Sequence, residues 1–268
     1  MRFFITGRNG FIARSIARQC PTVEFSDRGD DVYQKLVDFQ PDYIFHLAAE
    51  LAVESEMFCT NVMMTVDILE YCREHPVKKC VIFGSSSEYG SETTSPRKET
   101  DPLNPKTIYE GTKCAATLLA QAWSNTYRIP VTVIRPFTVY GPGEKPNKLT
   151  QVLKRCLRDR EVLKLGPGVH DYIYIDDFVE AVFKVTMFKE PGPFNIVNIG
   201  SGIQVSNENF VRAAQRATGK KISVELMDSK KVYDSECWVC DTTLLAGKYG
   251  FEPKFTLEDG LRVTLSSN

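Results

Sequence analysis

The sequence predicts an α/β fold, a doubly wound parallel sheet with helices on both faces followed by a smaller C-terminal lobe. Three observations predict it. Short apolar runs alternate with stretches whose apolar residues recur at helical spacing. The first run ends in a glycine-rich turn, Gly7-Arg8-Asn9-Gly10. After Pro136 the alternation loosens into Gly141-Pro142-Gly143-Glu144-Lys145-Pro146, which cannot be regular structure.

Met1 to Thr6 reads as a strand, and Phe11, Ile12, Ile16 and Ala17 set a helix over Gly10 to Cys20. Val23 to Asp27 is a second strand, Val32 to Phe39 a helix, and Tyr43 to Ala48 a nearly continuous apolar strand. A helix over Asn61 to Arg73, a strand over Cys80 to Gly84, a long helix over Tyr109 to Tyr127 and a strand over Val131 to Arg135 follow. Beyond the loose segment come a helix (Leu149 to Asp159), a strand (Asp171 to Ile175), a helix (Asp177 to Phe188) and a strand (Phe194 to Ile199). Asn207 to Thr218 is the last clear helix. Strand and helix in alternation imply parallel pairing. The expected division is residues 1–141 plus about 172–200 for one lobe, and about 142–171 plus 201–268 for the other.

With 268 residues, 43% apolar and 25% charged, the chain has the balance of a globular protein with a substantial core. A formal charge of −1 offers no basic field for nucleic acid or an acidic membrane. No apolar run approaches the ~18 residues of a membrane span. The N-terminus reaches Gly7 without a signal-peptide stretch, so a cytoplasmic location is expected. Eight cysteines (20, 59, 72, 80, 114, 156, 237 and 240) are scattered among the elements, with three histidines to share any metal. Reduced, packed thiols and no metal site are expected. Cys237-Trp238-Val239-Cys240 has redox or zinc spacing, but it stands alone in what reads as a strand, and no role is assigned to it.

Gly7, Arg8, Asn9, Gly10, Phe11, Ile12 and Ala13 lie between a strand and a helix. Glycines there let the chain turn tightly and approach a pyrophosphate at the helix N-terminus, which makes the sheet one of Rossmann type. Asp27, about twenty residues on, suits the ribose hydroxyls and favours NAD, whereas Arg8 and Arg28 suit a 2′-phosphate and NADP. The choice of cofactor stays open.

Tyr109 and Lys113 stand four apart at the start of the long helix, so their side chains share one face. An ammonium beside a phenol, helped by an oxidised nicotinamide ring, lowers its pKa toward the range of general acid-base work. Upstream, the strand ending at Gly84 runs into Ser85-Ser86-Ser87, where a doubly wound sheet presents groups to its ligand. One of these hydroxyls is expected to hold a substrate oxygen together with the tyrosine.

Taken in order, Thr6-Gly7-x-x-Gly10-Phe11-Ile12, His46-Leu47-Ala48-Ala49, Asn61, Ser85-Ser86-Ser87-Glu88-Tyr89-Gly90, Tyr109-x-x-x-Lys113, Arg135-Pro136-Phe137-Thr138-Val139-Tyr140-Gly141-Pro142-Gly143 and Asp171 to Asp177 resemble the NAD-dependent epimerase/dehydratase family of extended short-chain dehydrogenases/reductases. The likeness extends to Asn195 to Gly202 and Leu257 to Arg262 and so covers nearly the whole chain. It implies a smaller lobe that binds a nucleotide-diphosphate sugar, hydride transfer at sugar C4, and Tyr109, Lys113 and a serine as catalytic residues. It further implies cofactor contacts at Leu47, Ala48, Ala49, Asn61, Tyr109, Lys113 and Pro136, and a homodimer formed through the helices near Asn61 to Arg73 and Tyr109 to Tyr127.

The chain departs from that pattern in places. Its serine run is one residue short before Tyr89-Gly90. Counting from the strand makes Ser86 the catalytic hydroxyl, the choice adopted here, while counting back from Tyr89 makes it Ser85, and Ser87 is the other alternate. Glu88, two beyond Ser86, stands where 4,6-dehydratases place a proton-moving glutamate. The same spelling resembles NADPH-dependent 4-keto-6-deoxy-sugar reductases, the alternative activity. His170 and Lys231 stand where arginines usually grip a phosphate, and they cannot reproduce bidentate recognition. Thr138, Asn147 and the 143–148 loop are further candidate substrate contacts. A non-catalytic dinucleotide-binding scaffold or sensor would be expected to lack Tyr109 or Lys113, and both are present.

Overall fold

Alternate residues of each buried strand face opposite layers of helix, and this pattern builds the main sheet of the protein. The computed structural model describes residues 1–92, 94–228 and 235–267. The first half runs β1 (Arg2–Thr6), α1 (Phe11–Ala17), β2 (Thr22–Ser26), α2 (Val32–Phe39), β3 (Tyr43–His46), α3 (Glu54–Phe58), a π turn (Cys59–Met63), α4 (Met64–Glu74), β4 (Lys79–Phe83), a 3-10 turn (Ser86–Tyr89), α5 (Ile108–Tyr127) and β5 (Val131–Pro136). It continues with β6 (Thr138–Tyr140), α6 (Leu149–Asp159), β7 (Leu163–Leu165), β8 (Val169–Tyr174), α7 (Ile175–Met187), β9 (Phe194–Ile199), β10 (Gln204–Ser206), α8 (Asn207–Thr218), β11 (Val224–Leu226), α9 (Thr243–Tyr249) and α10 (Leu257–Ser266).

Six strands form the main sheet in the order β2-β1-β3-β4-β5-β9. The first five pair in parallel, with Phe3 opposite Val23 and Tyr43, Ile44 opposite Cys80, and Cys80 opposite Val131. Order reverses between β1 and β3, which makes the carboxyl ends of those strands the place for a ligand. Phe4, Ile44, Ile82 and Val133 pack on Leu36 of α2, Ile68 and Leu69 of α4 and Ala120 of α5. On the opposite face Phe3 stacks on Phe45 with ring centres 5.8 Å apart, and Phe183 of α7 meets both rings edge-on. The expected mostly parallel sheet, wound on both sides, is therefore present.

The described chain divides into two units. One comprises residues 1–90, 99–136 and 182–198, the other 91–98, 137–181 and 199–268. These crossings differ from sequence boundaries at 141, 171 and 200 for a local reason. Thr138 pairs with Tyr172, so β6 and β8 belong to one sheet with β10. Arg97 exchanges backbone hydrogen bonds with Val239 and Asp241, which draws 91–98 into the same unit. Tyr140, Tyr172 and Phe210 form the aromatic centre of that unit. Enclosed Asp171 there accepts from Ser201 N, Ser201 Oγ, Gly202 N and Cys240 N at 2.6 to 3.0 Å.

Several sequence expectations need correction. Helix α1 stops at Ala17 rather than Cys20, and β3 stops at His46, so residues 47–49 are loop. Asn61 does not begin a helix; it lies inside the π turn of a helical run from Glu54 to Glu74. Cys237 to Val239 form no strand, and only Cys240 makes an isolated bridge, to Arg97. Among the described residues two helices, α9 and α10, follow Thr218. In α10, Gly260 hid the pattern, because glycine weakens helical expectation, yet a Cβ there would come within 2.1 Å of the Tyr140 hydroxyl. Lys231 lies outside the described residues.

Candidate active site

Gly7 takes a left-handed conformation (φ +77°), and a Cβ on it would meet the Ala48 backbone at 3.1 Å. Both facts demand glycine. Its N–H donates to Ser26 O and its carbonyl accepts from Gly10 N, which closes the turn over the end of β2. Gly10 is the N-cap of α1, and no side chain caps that terminus. Arg8 and Asn9 are exposed, while Phe11 and Ile12 are partly buried at the helix start.

Asp27 follows β2. Its carboxylate accepts from Asn9 Nδ2 at 2.7 Å and from the Arg28 N–H at 2.9 Å. The Arg28 guanidinium turns away to Glu50 and to Glu56, the latter at 3.0 Å. Glu50 is itself held well down, to about 2, chiefly by the N–H groups of Ala52 and Val53. The Arg8 guanidinium lies 5.5 Å over the Phe25 ring. Both arginines that suggested a 2′-phosphate thus have partners within the protein.

The next strand end carries His46, which sequence reading quoted within a motif without giving it a role. It is 3% exposed and bonded through both ring nitrogens, to Thr6 Oγ1 and Thr65 Oγ1. Burial, with help from the Lys113 charge, lowers its pKa to about 3, so the ring is neutral. Leu47 and Ala48 donate their backbone N–H groups to Thr6 Oγ1. Asn61 is buried, and its side chain bonds Glu50 N, Glu50 O and Thr112 Oγ1. The signal for His46 was present, since it is the one polar residue in an otherwise apolar strand.

At the end of β4 the three serines separate. Ser86 is buried at 6% exposure, whereas Ser85 and Ser87 are partly open and share a hydrogen bond of 2.7 Å. Thr107 and Glu110 form a reciprocal cap that starts α5 and places Tyr109 in its first turn. Burial pushes the Tyr109 phenol up to about 12; a hydrogen bond with the Ser85 side chain opposes this, while Glu88 and Glu110 add to it. Of the three hydroxyls, Ser85 is the one that bears on the Tyr109 phenol, whereas Ser86, the first residue of the 3-10 turn, is buried.

Lys113 is 7% exposed and donates to the Phe83 carbonyl at 2.6 Å. Burial lowers its pKa to about 8, opposed by Glu88. In this arrangement its ammonium is spent on that carbonyl, and the phenol is raised rather than lowered. Glu88 also departs from expectation. It has no exposed surface and accepts from Ser85 N at 2.7 Å, Thr117 Oγ1 at 2.9 Å and Arg135 Nε at 3.0 Å. A carboxylate so enclosed braces the serine turn through the Ser85 N–H.

Pro136 ends β5. In the other unit Thr138 lies on β6, Asn147 is exposed before α6, and His170 on β8 packs edge-on against Tyr172. No group of three or more metal-ligating side chains, and no helix long and apolar enough to cross a membrane, occurs among the described residues.

Comparison with known proteins agrees with this fold. Residues 3–200 match the model of the NAD dependent epimerase/dehydratase family. The chain is 30% identical over 252 residues to dTDP-glucose 4,6-dehydratase of Streptomyces griseus, covering 90% of this chain and 76% of that one. It is 27% identical over 233 residues to UDP-glucuronate 4-epimerase of Thermodesulfobacterium geofontis, covering 83% and 71%. The fold is that of UDP-glucuronic acid 4-epimerase from Bacillus cereus, solved with UDP-glucuronic acid and NAD, with a TM-score of 0.86, 22% identity and coverage of 99% and 98%. With sheet, glycine turn and family match in agreement, the chain belongs to the NAD dependent epimerase/dehydratase family, within the extended short-chain dehydrogenases/reductases.

Proposed function

We propose that this chain is a cytoplasmic, homodimeric NAD-dependent enzyme that oxidises and re-reduces C4 of a nucleotide-diphosphate sugar, the course of a 4-epimerase. The observation that carries the reading is buried Lys113, one turn along α5 from Tyr109, donating to the Phe83 carbonyl where β4 runs into the serine turn. The dinucleotide fits the residues present. Gly7 leaves no room for a side chain, α1 opens uncapped, and Asp27 offers a carboxylate at the end of β2. Engagement of Arg28 by Glu50 and Glu56 supports NAD over NADP. Exposed Phe58, Met63 and Leu118 on the 54–74 helical run and α5 support pairing of two copies.

In this reading Tyr109 takes the proton of the C4 hydroxyl and later returns it, while Ser85 holds the same oxygen. With the dinucleotide bound, the positive charges of Lys113 and the oxidised ring would together bring the phenol down from its raised value. Bound NAD supplies the ring that accepts and returns hydride. Glu88 is not assigned elimination chemistry, because three donors enclose it.

The test begins with release of copurifying dinucleotide and its identification by mass spectrometry, where retained NAD is expected. Turnover is then assayed with UDP-glucuronic acid, UDP-glucose and dTDP-glucose. Tyr109→Phe should keep NAD and lose at least ~10²-fold in kcat, as expected for removal of a general acid-base group. Ser85→Ala should cost far more activity than Ser86→Ala. Full turnover by Tyr109→Phe sinks the mechanism.

A further inference from the structure

Thr6 Oγ1 accepts two backbone hydrogen bonds, from Leu47 N at 3.1 Å and Ala48 N at 2.9 Å. With both lone pairs taken, its proton can only be given away, and the partner is His46 Nδ1 at 2.8 Å. Nδ1 is therefore the bare nitrogen and Nε2 carries the hydrogen, which it donates to Thr65 Oγ1 at 3.0 Å. Thr65 in turn donates to the Asn61 carbonyl at 3.0 Å. The Asn61 side chain accepts from Glu50 N at 2.8 Å and donates to Glu50 O at 3.0 Å and to Thr112 Oγ1 at 2.9 Å. Thr112 donates to the Tyr109 carbonyl at 2.8 Å. Each donor has an acceptor, and the direction is consistent throughout.

We propose that His46, as the neutral Nε2–H tautomer, is a positioning residue that clamps the 47–50 loop at both ends and ties it to the first turn of α5. The inference rests on the reading above, in which that loop meets the dinucleotide and Tyr109 moves the proton. A proton on Nδ1 would face Thr6 Oγ1, whose two lone pairs already serve Leu47 and Ala48. One of those N–H groups would have to leave, and the loop with it. Ala48 is the residue whose backbone abuts Gly7, so a shift there reshapes the phosphate turn directly.

Thr65→Val tests the relay with little change in volume, and it keeps the imidazole in place. NAD binding to the full chain is followed by calorimetry, unfolding is followed without NAD, and the His46 ring nitrogens of the unsubstituted chain are read by nitrogen-15 NMR. The expected result is an Nε2–H ring and NAD binding weakened about fivefold in Thr65→Val, the change due to one net hydrogen bond. Thr65→Ser should restore binding even if its unfolding midpoint does not recover. His46→Leu should weaken NAD further if it folds. Equal NAD binding by Thr65→Val, or a ring protonated on Nδ1, overturns the inference and leaves the functional reading standing. Absence of NAD binding by the unsubstituted chain overturns both.

Discussion

Glu88 in the first unit and Asp171 in the second are both carboxylates with no exposed surface, and they are held in different ways. Glu88 is paired with a full charge, the Arg135 guanidinium, which also donates to the Tyr89 hydroxyl. Among the described residues, Asp171 accepts from dipoles alone, three backbone N–H groups and the Ser201 hydroxyl. Burial raises the Asp171 carboxyl above the usual range in spite of them. Dipoles answer part of a buried charge, and an ion answers more of it. The stronger arrangement braces the serine turn, since Glu88 accepts from the Ser85 N–H.

The largest expected effect breaks the ion pair. Glu88→Ala strands Arg135 in the interior and should cost about 3–5 kcal/mol in chemical unfolding. Adding Arg135→Met should recover much of that loss, and a double variant as unstable as the sum of its parts would show that the pair is not coupled. Asp171→Ala should cost less, about 2–3 kcal/mol, because entering water can satisfy neutral donors but replaces a buried counter-charge poorly. A larger loss than for Glu88→Ala would reverse the comparison.

The smallest effect is a slope with pH. His46 has a folded pKa of about 3 against an ordinary 6.5, so an unfolded chain binds the proton first. The stability it contributes is complete above pH 6.5 and falls by about 1.4 kcal/mol per pH unit below it, down to the folded value. Unfolding measured at pH 7 and pH 5.5 in the parent and in His46→Gln should show the slope reduced in the variant. Asp171 works in the opposite sense: with its folded pKa raised, stability is present below its ordinary value and lost as pH rises through the folded one.

Much of the architecture was legible. Helices over Val32–Phe39, Leu149–Asp159 and Asn207–Thr218 and the strand over Phe194–Ile199 fall where periodicity places them. Two of those elements begin or end with a strong local signal: Asp31 and Ser206 cap α2 and α8, and Gly219 ends α8 in a left-handed conformation. The short strands β6, β7, β10 and β11 and the helices α9 and α10 were not legible. Three residues carry too little period, and Gly247 and Gly260 dilute the helical pattern. Within the site, spacing brought out Tyr109, Lys113 and the serine run, but neither the burial of Ser86 nor the three donors around Glu88. Spacing counts residues along a strand, whereas the 3-10 turn decides which of three adjacent hydroxyls faces out.

By itself, then, the sequence determined the alternation of main-sheet strands and helices, the glycine turn after β1 and the family, because each is written in local periodicity or in a motif of a few residues. Tertiary structure alone decided that Arg28 serves Glu50 and Glu56, that Glu88 faces Arg135, and that His46 links Thr6 to Thr65. The physical reason is distance along the chain. The Thr6–His46 bond spans 40 residues, Arg135–Glu88 spans 47 and Asn61–Thr112 spans 51. A hydrogen bond's partner and direction are chosen only when burial leaves a donor one acceptor within reach.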